Sequence, residues 1–337
     1  MTFGVEWGWG ADQPTAQAMF DRYVAAGGNF IDTADGYTNG TSEELVGRFI
    51  AESRLRDAMV IATKFTFSGH RGNPNAGGNG RKNIYRAIEG SLRRLKTDYI
   101  DLYWMHAWDT VTPLEEVLST MDALIREGKI RYFGLSDVPA WYATRAQTVA
   151  ELKTFQPVVA LQLEYSLIER NIEREHIPLA QELGMGLCPW SPLGNGFLSG
   201  KYAAADSNAV EGRLNSSWRS VFERVRTERN ACVLEAVRAI ATELGRTPAQ
   251  IALSWVFGRP GITSTIIGAT KMSQLEANLA AADFHLPQEL SMRLDEVSRI
   301  QSVHPYSIFS GLQQAMIHGA SVRKWMPQTD PAPVADT

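Results

Sequence analysis

Four side chains able to move or steer a proton stand just after short apolar runs. Asp32 directly follows Gly28-Asn29-Phe30-Ile31, and Tyr37 lies in the loop behind it. Lys64 follows Ala58 to Thr63, and His106 follows Tyr99 to Met105. A phenol with an ordinary pKa of about 10 is a poor acid at neutral pH. A neighbouring ammonium lowers that value, and a carboxylate keeps the ammonium charged and aimed. A neutral imidazole beside them can hydrogen-bond a carbonyl oxygen and orient it. The set suits protonating an oxygen while hydride reaches the attached carbon. It does not suit metal-assisted hydrolysis, because no His/Asp ligand cluster accompanies it. Singly, each residue also admits a plain role: a turn cap, a loop aromatic, a solvated strand end, a core histidine. Their succession after consecutive runs favours a shared rim.

The runs that must carry them recur. Gly28 to Ile31, Ala58 to Ala62, Tyr99 to Met105, Ile130 to Leu135, Val158 to Leu163, Met185 to Pro189 and Ser264 to Ile267 read as strands. Each is short and apolar enough to be buried on both faces, as in a parallel sheet. Helical stretches alternate with them. Thr41-Ser42-Glu43-Glu44 offers a capping box before Leu45, Val46, Phe49 and Ile50. Thr112-Pro113-Leu114-Glu115 offers an N-cap, a first-turn proline and a boxing glutamate, and Thr247-Pro248 opens another helix. Alternation of this kind predicts βα units. The expected class is α/β, a (β/α)8 barrel with its site on the carboxyl rim. An open dinucleotide-binding sheet is disfavoured, because no GxGxxG joins a strand to a helix. Ser68 to Gly80 reads as a mobile loop and residues 203 to 219 as an irregular insertion. Residues 1–328 form the expected single domain, with a flexible tail over 329–337.

The chain has 337 residues, 33 basic and 37 acidic, for a net charge of −4. No basic tract stands out, so nucleic acid and anionic membrane are not expected partners. Its cysteines, Cys188 and Cys232, cannot build a disulfide framework or a zinc site. No apolar run has the length of a membrane helix, and the first residues do not read as a secretion signal. A cytoplasmic protein is expected.

Taken together, these segments resemble the aldo-keto reductase superfamily. The carrying residues are Gly28 to Tyr37, Ser42-Glu43-Glu44 with Gly47, Ala62-Thr63-Lys64 and Asp101 to His106. They continue through Gly128 to Arg131, Gly134 to Asp137, Gln162 to Ser166 and Trp190 to Leu193. Ile267 to Thr270, with Gln274 and Asn278, completes them. The resemblance implies NADPH lying across the barrel's carboxyl rim. By position it makes Tyr37 the general acid, with Lys64 and Asp32 tuning it and His106 orienting the carbonyl. It assigns the nicotinamide carboxamide to Ser136 and Gln162, and the ring face to Trp190. Asp137 stands where many members have Asn, and a carboxylate accepts but does not donate. Ser191, Pro192, Leu193, Gly194 and Lys201 would meet the pyrophosphate. Gly268, Thr270, Lys271, Gln274 and Asn278 would take the adenine end, with Lys271 and Arg213 as cations for the 2′-phosphate and a helix beginning near Thr270 aiming N–H groups at it.

Relatives carry a hairpin and strand ahead of the segment matching Thr2-Phe3-Gly4. The first barrel strand is therefore expected to be missing here, leaving a gap or some compensation. Trp7, Trp108 and Tyr306 are the expected substrate contacts, within a wider aromatic set of Trp9, Trp104 and Phe309; Trp104 is open between pocket and core. The expected activity is reversible, NADPH-dependent reduction of aromatic or bulky aldehydes and ketones by direct hydride transfer. The alternative is a redox-sensing, NADPH-binding regulatory subunit with slow turnover. A homo-oligomer stays open.

Overall fold

Six short strands alternate with helices and pair in chain order, every pair parallel: β1 Phe30–Asp32, β2 Val60–Phe65, β3 Ile100–Met105, β4 Ile130–Ser136, β5 Val158–Glu164 and β6 Gly186–Trp190. The computed structural model describes residues 1–70, 72–202, 223–309 and 311–320. The chain forms two compact units, Met1–Arg299 and Ile300–Thr337. In the first, the helices are α1 Gln13–Ala25, α2 Thr41–Ser53, α3 Arg81–Leu95, α4 Leu114–Arg126, α5 Ala140–Lys153, α6 His176–Glu182, α7 Glu228–Leu244, α8 Pro248–Phe257, α9 Met272–Ala280 and α10 Gln288–Val297. The second contains a short 3-10 turn, Tyr306–Phe309, and a helix, Gly311–His318. The expected tail over 329–337 and the insertion over 203 to 219 lie outside the described residues.

Alternation along each strand sorts its side chains between two layers. Ile61 and Phe65 of β2 and Tyr103 and Met105 of β3 join the large core that includes the helices. Ala62, Leu102, Trp104, Ala160 and Cys188 form a separate inner cluster. Trp104 is 0% exposed, so it belongs to the inner packing. Gly134 lies opposite it in register, and a Cβ there would come within 2.3 Å of the Trp104 ring. Only glycine allows that approach. On α2 the expected stripe is buried: Leu45, Val46, Phe49 and Ile50 are all under 5% exposed. Each such side chain contributes about 2 kcal/mol of transfer free energy.

Three local readings need correction. Ser264 to Ile267 is not a strand, although it lies beside β6. The N–H groups of Ser264 and Ile266 donate to the carbonyls of Leu187 and Pro189, at 3.4 and 2.9 Å. The bond that would return to the Ser264 carbonyl needs an N–H at position 189, and proline has none. The capping box at Thr41 does not form, because the helix begins at Thr41 itself after Gly40. Thr41 donates instead to Glu6 at 2.7 Å. Thr112 likewise turns its hydroxyl to Asp109 at 2.7 Å, leaving Pro113 as the N-cap of α4. The third start is as expected: Thr247 and Gln250 make a capping box on α8.

Candidate active site

The carboxyl ends of β1, β2 and β3 bring all four proton-handling residues to one mouth. Asp32 ends β1 in register with Ala62, and Lys64 lies two residues further along β2. Lys64 is 0% exposed. Its ammonium donates to Asp32 and to the Thr33 carbonyl, the latter at 2.8 Å. The second Asp32 oxygen accepts from the Gln162 amide at 2.9 Å. Tyr37 enters from a tight turn in which Thr38 and Asn39 both have positive φ. That turn sets the phenol ring 5.1 Å from the Lys64 ammonium. The Tyr37 hydroxyl is 3.5 Å from His106 Nε2. Burial opposes charge on Lys64, but Asp32 and Tyr37 outweigh it and hold the amine above its ordinary value. Burial, reinforced by the Lys64 charge, pushes His106 well below the usual imidazole range. The site thus pairs a locked ammonium with a neutral imidazole, the phenol between them.

The expected nucleotide residues divide into two groups. Ser136 ends β4 and is 1% exposed; Gln162 lies on β5, at 3%. Asp137 follows Ser136 with φ 46, and its Oδ1 accepts the Trp190 indole N–H at 3.0 Å. Part of Asp137 faces solvent, yet burial of the carboxyl raises it to about 6. Beyond β6, Ser191 has φ 56, and its hydroxyl accepts from the Asn195 N–H at 2.8 Å. Pro192 and Gly194 are buried, while Leu193 packs against the large core. Lys201 is exposed, with its amine 4.8 Å from the Tyr202 ring. In the second group, α9 begins at Met272, close behind Thr270 as expected, with Lys271 as its N-cap. Gln274 turns back to accept from the Thr270 N–H at 2.9 Å, and Asn278 donates to the Gly268 carbonyl at 3.3 Å. Arg213 lies outside the described residues. Below the rim is a cavity of about 170 Å³ lined by Asp32, Trp104, Gln162, Cys188, Ile266 and Gly268, among others.

Of the expected substrate aromatics, Trp7 reaches the mouth, its ring 6.2 Å edge-on from Tyr37. Trp108 packs on Trp141 and Tyr142, at 5.3 and 5.7 Å. Tyr306 lies in the second unit, 6.2 Å from Phe309. The sequence reading missed Phe67, a half-exposed ring 4.7 Å from His106; its only signal is its place three residues after Lys64. It also missed two carboxyls. Glu164, at the end of β5, is raised to about 7 by burial despite Arg224 at 2.6 Å. Asp35 is raised to about 7 by burial and by the Glu43 carboxylate, against the pull of Arg94 and Arg86. Its Oδ1 has no hydrogen-bond partner among the described residues.

Asp35 yields a signed stability prediction. Its proton is held more tightly in the folded chain than at the ordinary carboxyl value of 3.8. The resulting stabilisation is full below that value and disappears as pH rises through about 7. Asp35→Asn should therefore gain on the parent by several degrees of melting temperature between those limits. Parallel melting profiles for the two proteins would contradict it.

Comparison with known proteins follows the same lines. The family model described as Aldo/keto reductase family matches residues 1–299. An uncharacterized oxidoreductase of Bacillus subtilis is 35% identical over 88% of this chain and 90% of its own length. An aryl-alcohol dehydrogenase [NADP(+)] of Phanerodontia chrysosporium is 30% identical over 97% of this chain and 89% of its own. A probable voltage-gated potassium channel subunit beta of Oryza sativa is 35% identical over 84% of this chain and 85% of its own.

Proposed function

The chain belongs to the aldo/keto reductase family, and on that premise we propose that it is an NADPH-dependent carbonyl reductase, reversible as an alcohol dehydrogenase. The observation that carries this reading is the Tyr37 hydroxyl, 3.5 Å from a neutral His106 and beside a buried ammonium locked to Asp32. Oxidoreductases among the relatives support the class, and the aryl-alcohol dehydrogenase supports NADP and aromatic substrates.

When bound, the nicotinamide supplies or accepts the hydride. Tyr37 holds the proton at its hydroxyl oxygen and passes it to the carbonyl oxygen as the carbon is reduced; in the reverse direction it takes the proton back. Lys64 stabilises the phenolate that remains, and Asp32 keeps Lys64 charged. His106, neutral, orients the carbonyl oxygen. Trp7 and Phe67 border this mouth with aromatic surface, which suits an aryl or bulky group.

The donor set fits a nicotinamide nucleotide. Ser136, Asp137 and Gln162 offer polar groups at the rim, and Trp190 offers a ring. The turn at Ser191 to Gly194 and Lys201 suit the pyrophosphate. The amino end of α9, with Lys271, Gly268, Thr270, Gln274 and Asn278, suits the adenine end, and Arg213 completes the proposed set. The N–H groups that Thr263, Ser264 and Ile266 direct to β6 support a further stave beside the six strands, as a (β/α)8 barrel requires. No helix among the described residues is long and apolar enough to cross a membrane. With Cys188 and Cys232 both free, the cytoplasm is the compartment we favour.

A carbonyl panel with NADPH tests the function. Rapid NADPH oxidation by aryl aldehydes is expected; tight nucleotide binding with negligible turnover would favour a redox-sensing subunit. Lys271→Ala with Arg213→Ala should weaken NADPH by about tenfold or more and NADH little, because each cation would hold a phosphate absent from NADH. Fluorescence titration reads both affinities, and equal losses would move the phosphate elsewhere.

A further inference from the structure

Asn79 is 0% exposed although it sits in the glycine-rich loop that the sequence reads as mobile. Its Oδ1 accepts the Thr66 hydroxyl at 2.7 Å, and its Nδ2 donates to the Ala107 carbonyl at 2.9 Å. Its backbone N–H donates to Asp109 at 2.7 Å, and Asp109 is itself held by the Thr112 hydroxyl at 2.7 Å. One buried amide thereby ties the loop after β2 to the loop after β3. The expectation of a mobile loop over Ser68 to Gly80 misses this anchored end.

Thr66 is the other half of the tie. Because its hydroxyl proton goes to Asn79, a lone pair remains for the His106 N–H, which reaches it at 3.2 Å. The same N–H also points at the Phe65 carbonyl, at 3.1 Å. Thr66 has φ 117, a conformation open to glycine but strained for threonine. Its carbonyl accepts from Gly78 at 2.7 Å, closing the loop. What threonine adds over glycine at this place is the hydroxyl.

The need for such a tie comes from the histidine. An imidazole is ordinarily oriented by a partner on its second ring nitrogen. His106 Nδ1 is buried and has no hydrogen-bond partner among the described residues. The ring meets Tyr37 through Nε2 and Phe67 edge-on, so its placement depends on the backbone that carries it.

We propose that Asn79 and Thr66 are positioning residues that set His106 against Tyr37 by clamping the His106 backbone. The proposal rests on the carbonyl-reductase reading for its kinetic consequence, but the clamp itself is observable without turnover. A displacement of about 1 Å at a reacting group costs about a hundredfold in rate. Asn79→Ala and Thr66→Gly should lower kcat by about tenfold to a hundredfold and leave the KM for NADPH nearly unchanged. Thr66→Ser, which restores the hydroxyl, should recover most of the loss. Thr66→Gly is decisive, because it removes the hydroxyl while relieving the backbone strain. A threonine that served only the loop's stability would lower the melting temperature through the orphaned Asn79 oxygen but leave kcat and the His106 signals at the parent's values. The imidazole NMR signals of His106, read in cofactor-free protein, should move in Asn79→Ala and Thr66→Gly and return in Thr66→Ser. Those signals decide the clamp even if the parent reduces no carbonyl, an outcome that would count against the function alone. Folded Asn79→Ala and Thr66→Gly proteins with parent kcat and unmoved His106 signals would overturn the proposal.

Discussion

Tyr37→Phe should lose aryl-aldehyde turnover by about three orders of magnitude, within the range that a positioned proton donor contributes. The substitution keeps the ring and removes only the hydroxyl. The edge contacts with Trp7 and His106, at 6.2 and 5.6 Å, involve the ring and should survive. Melting temperature and NADPH affinity should therefore stay close to the parent's. No neighbour can readily replace the lost acid. His106 is held neutral by burial and by Lys64. The Lys64 ammonium is committed to Asp32 and the Thr33 carbonyl and is closed to solvent. Parent-like single-turnover reduction in Tyr37→Phe would remove the phenol from the proposed acid role.

Lys64→Met should damage both fold and activity, and the two effects can be separated. Methionine fills much of the same volume but leaves the Asp32 carboxylate, whose side chain is 10% exposed, without its cation. Among the described residues, the Gln162 amide is then its remaining side-chain hydrogen-bond partner, at 2.9 Å. Breaking a buried ion pair from one side costs about 3–5 kcal/mol, because the surviving charge is left uncompensated. Adding Asp32→Asn removes that charge, so the double variant should recover much of the stability in denaturant unfolding. It should recover none of the turnover, because no ammonium remains beside Tyr37. Equal stability of Lys64→Met and the double variant would show that the pair is not coupled in the folded chain.

Strand positions were legible because a buried parallel strand leaves a dense local signature. The ends of Phe30–Asp32, Val60–Phe65 and Ile100–Met105 therefore placed Asp32, Lys64 and His106 correctly at one mouth. Signals needing a tertiary partner were not legible. Thr41 and Thr112 carry the same capping pattern as Thr247, but Glu6 and Asp109 draw their hydroxyls away. Pro189 sits inside an apolar run, and its cost falls on a neighbouring segment far along the chain, where composition cannot register it. Asn79 and Asp35 have the residue types of exposed turns; only the packing of β2 and β3 loops or of Glu43 beside them reveals their burial. Asp137 drew notice only by its position after Ser136, whereas its acceptance of the Trp190 N–H depends on the spacing of β4 and β6.

Isotope transfer tests the central claim most directly. The protein is incubated with an aryl aldehyde and NADPH carrying deuterium at the transferable position of the nicotinamide, and the alcohol is examined by mass spectrometry and NMR. Deuterium on the carbinol carbon, in step with NADP formation and lost in Tyr37→Phe, is the expected result. Alcohol without deuterium, or no alcohol from any carbonyl tried while NADPH remains bound, would contradict direct hydride transfer at this mouth.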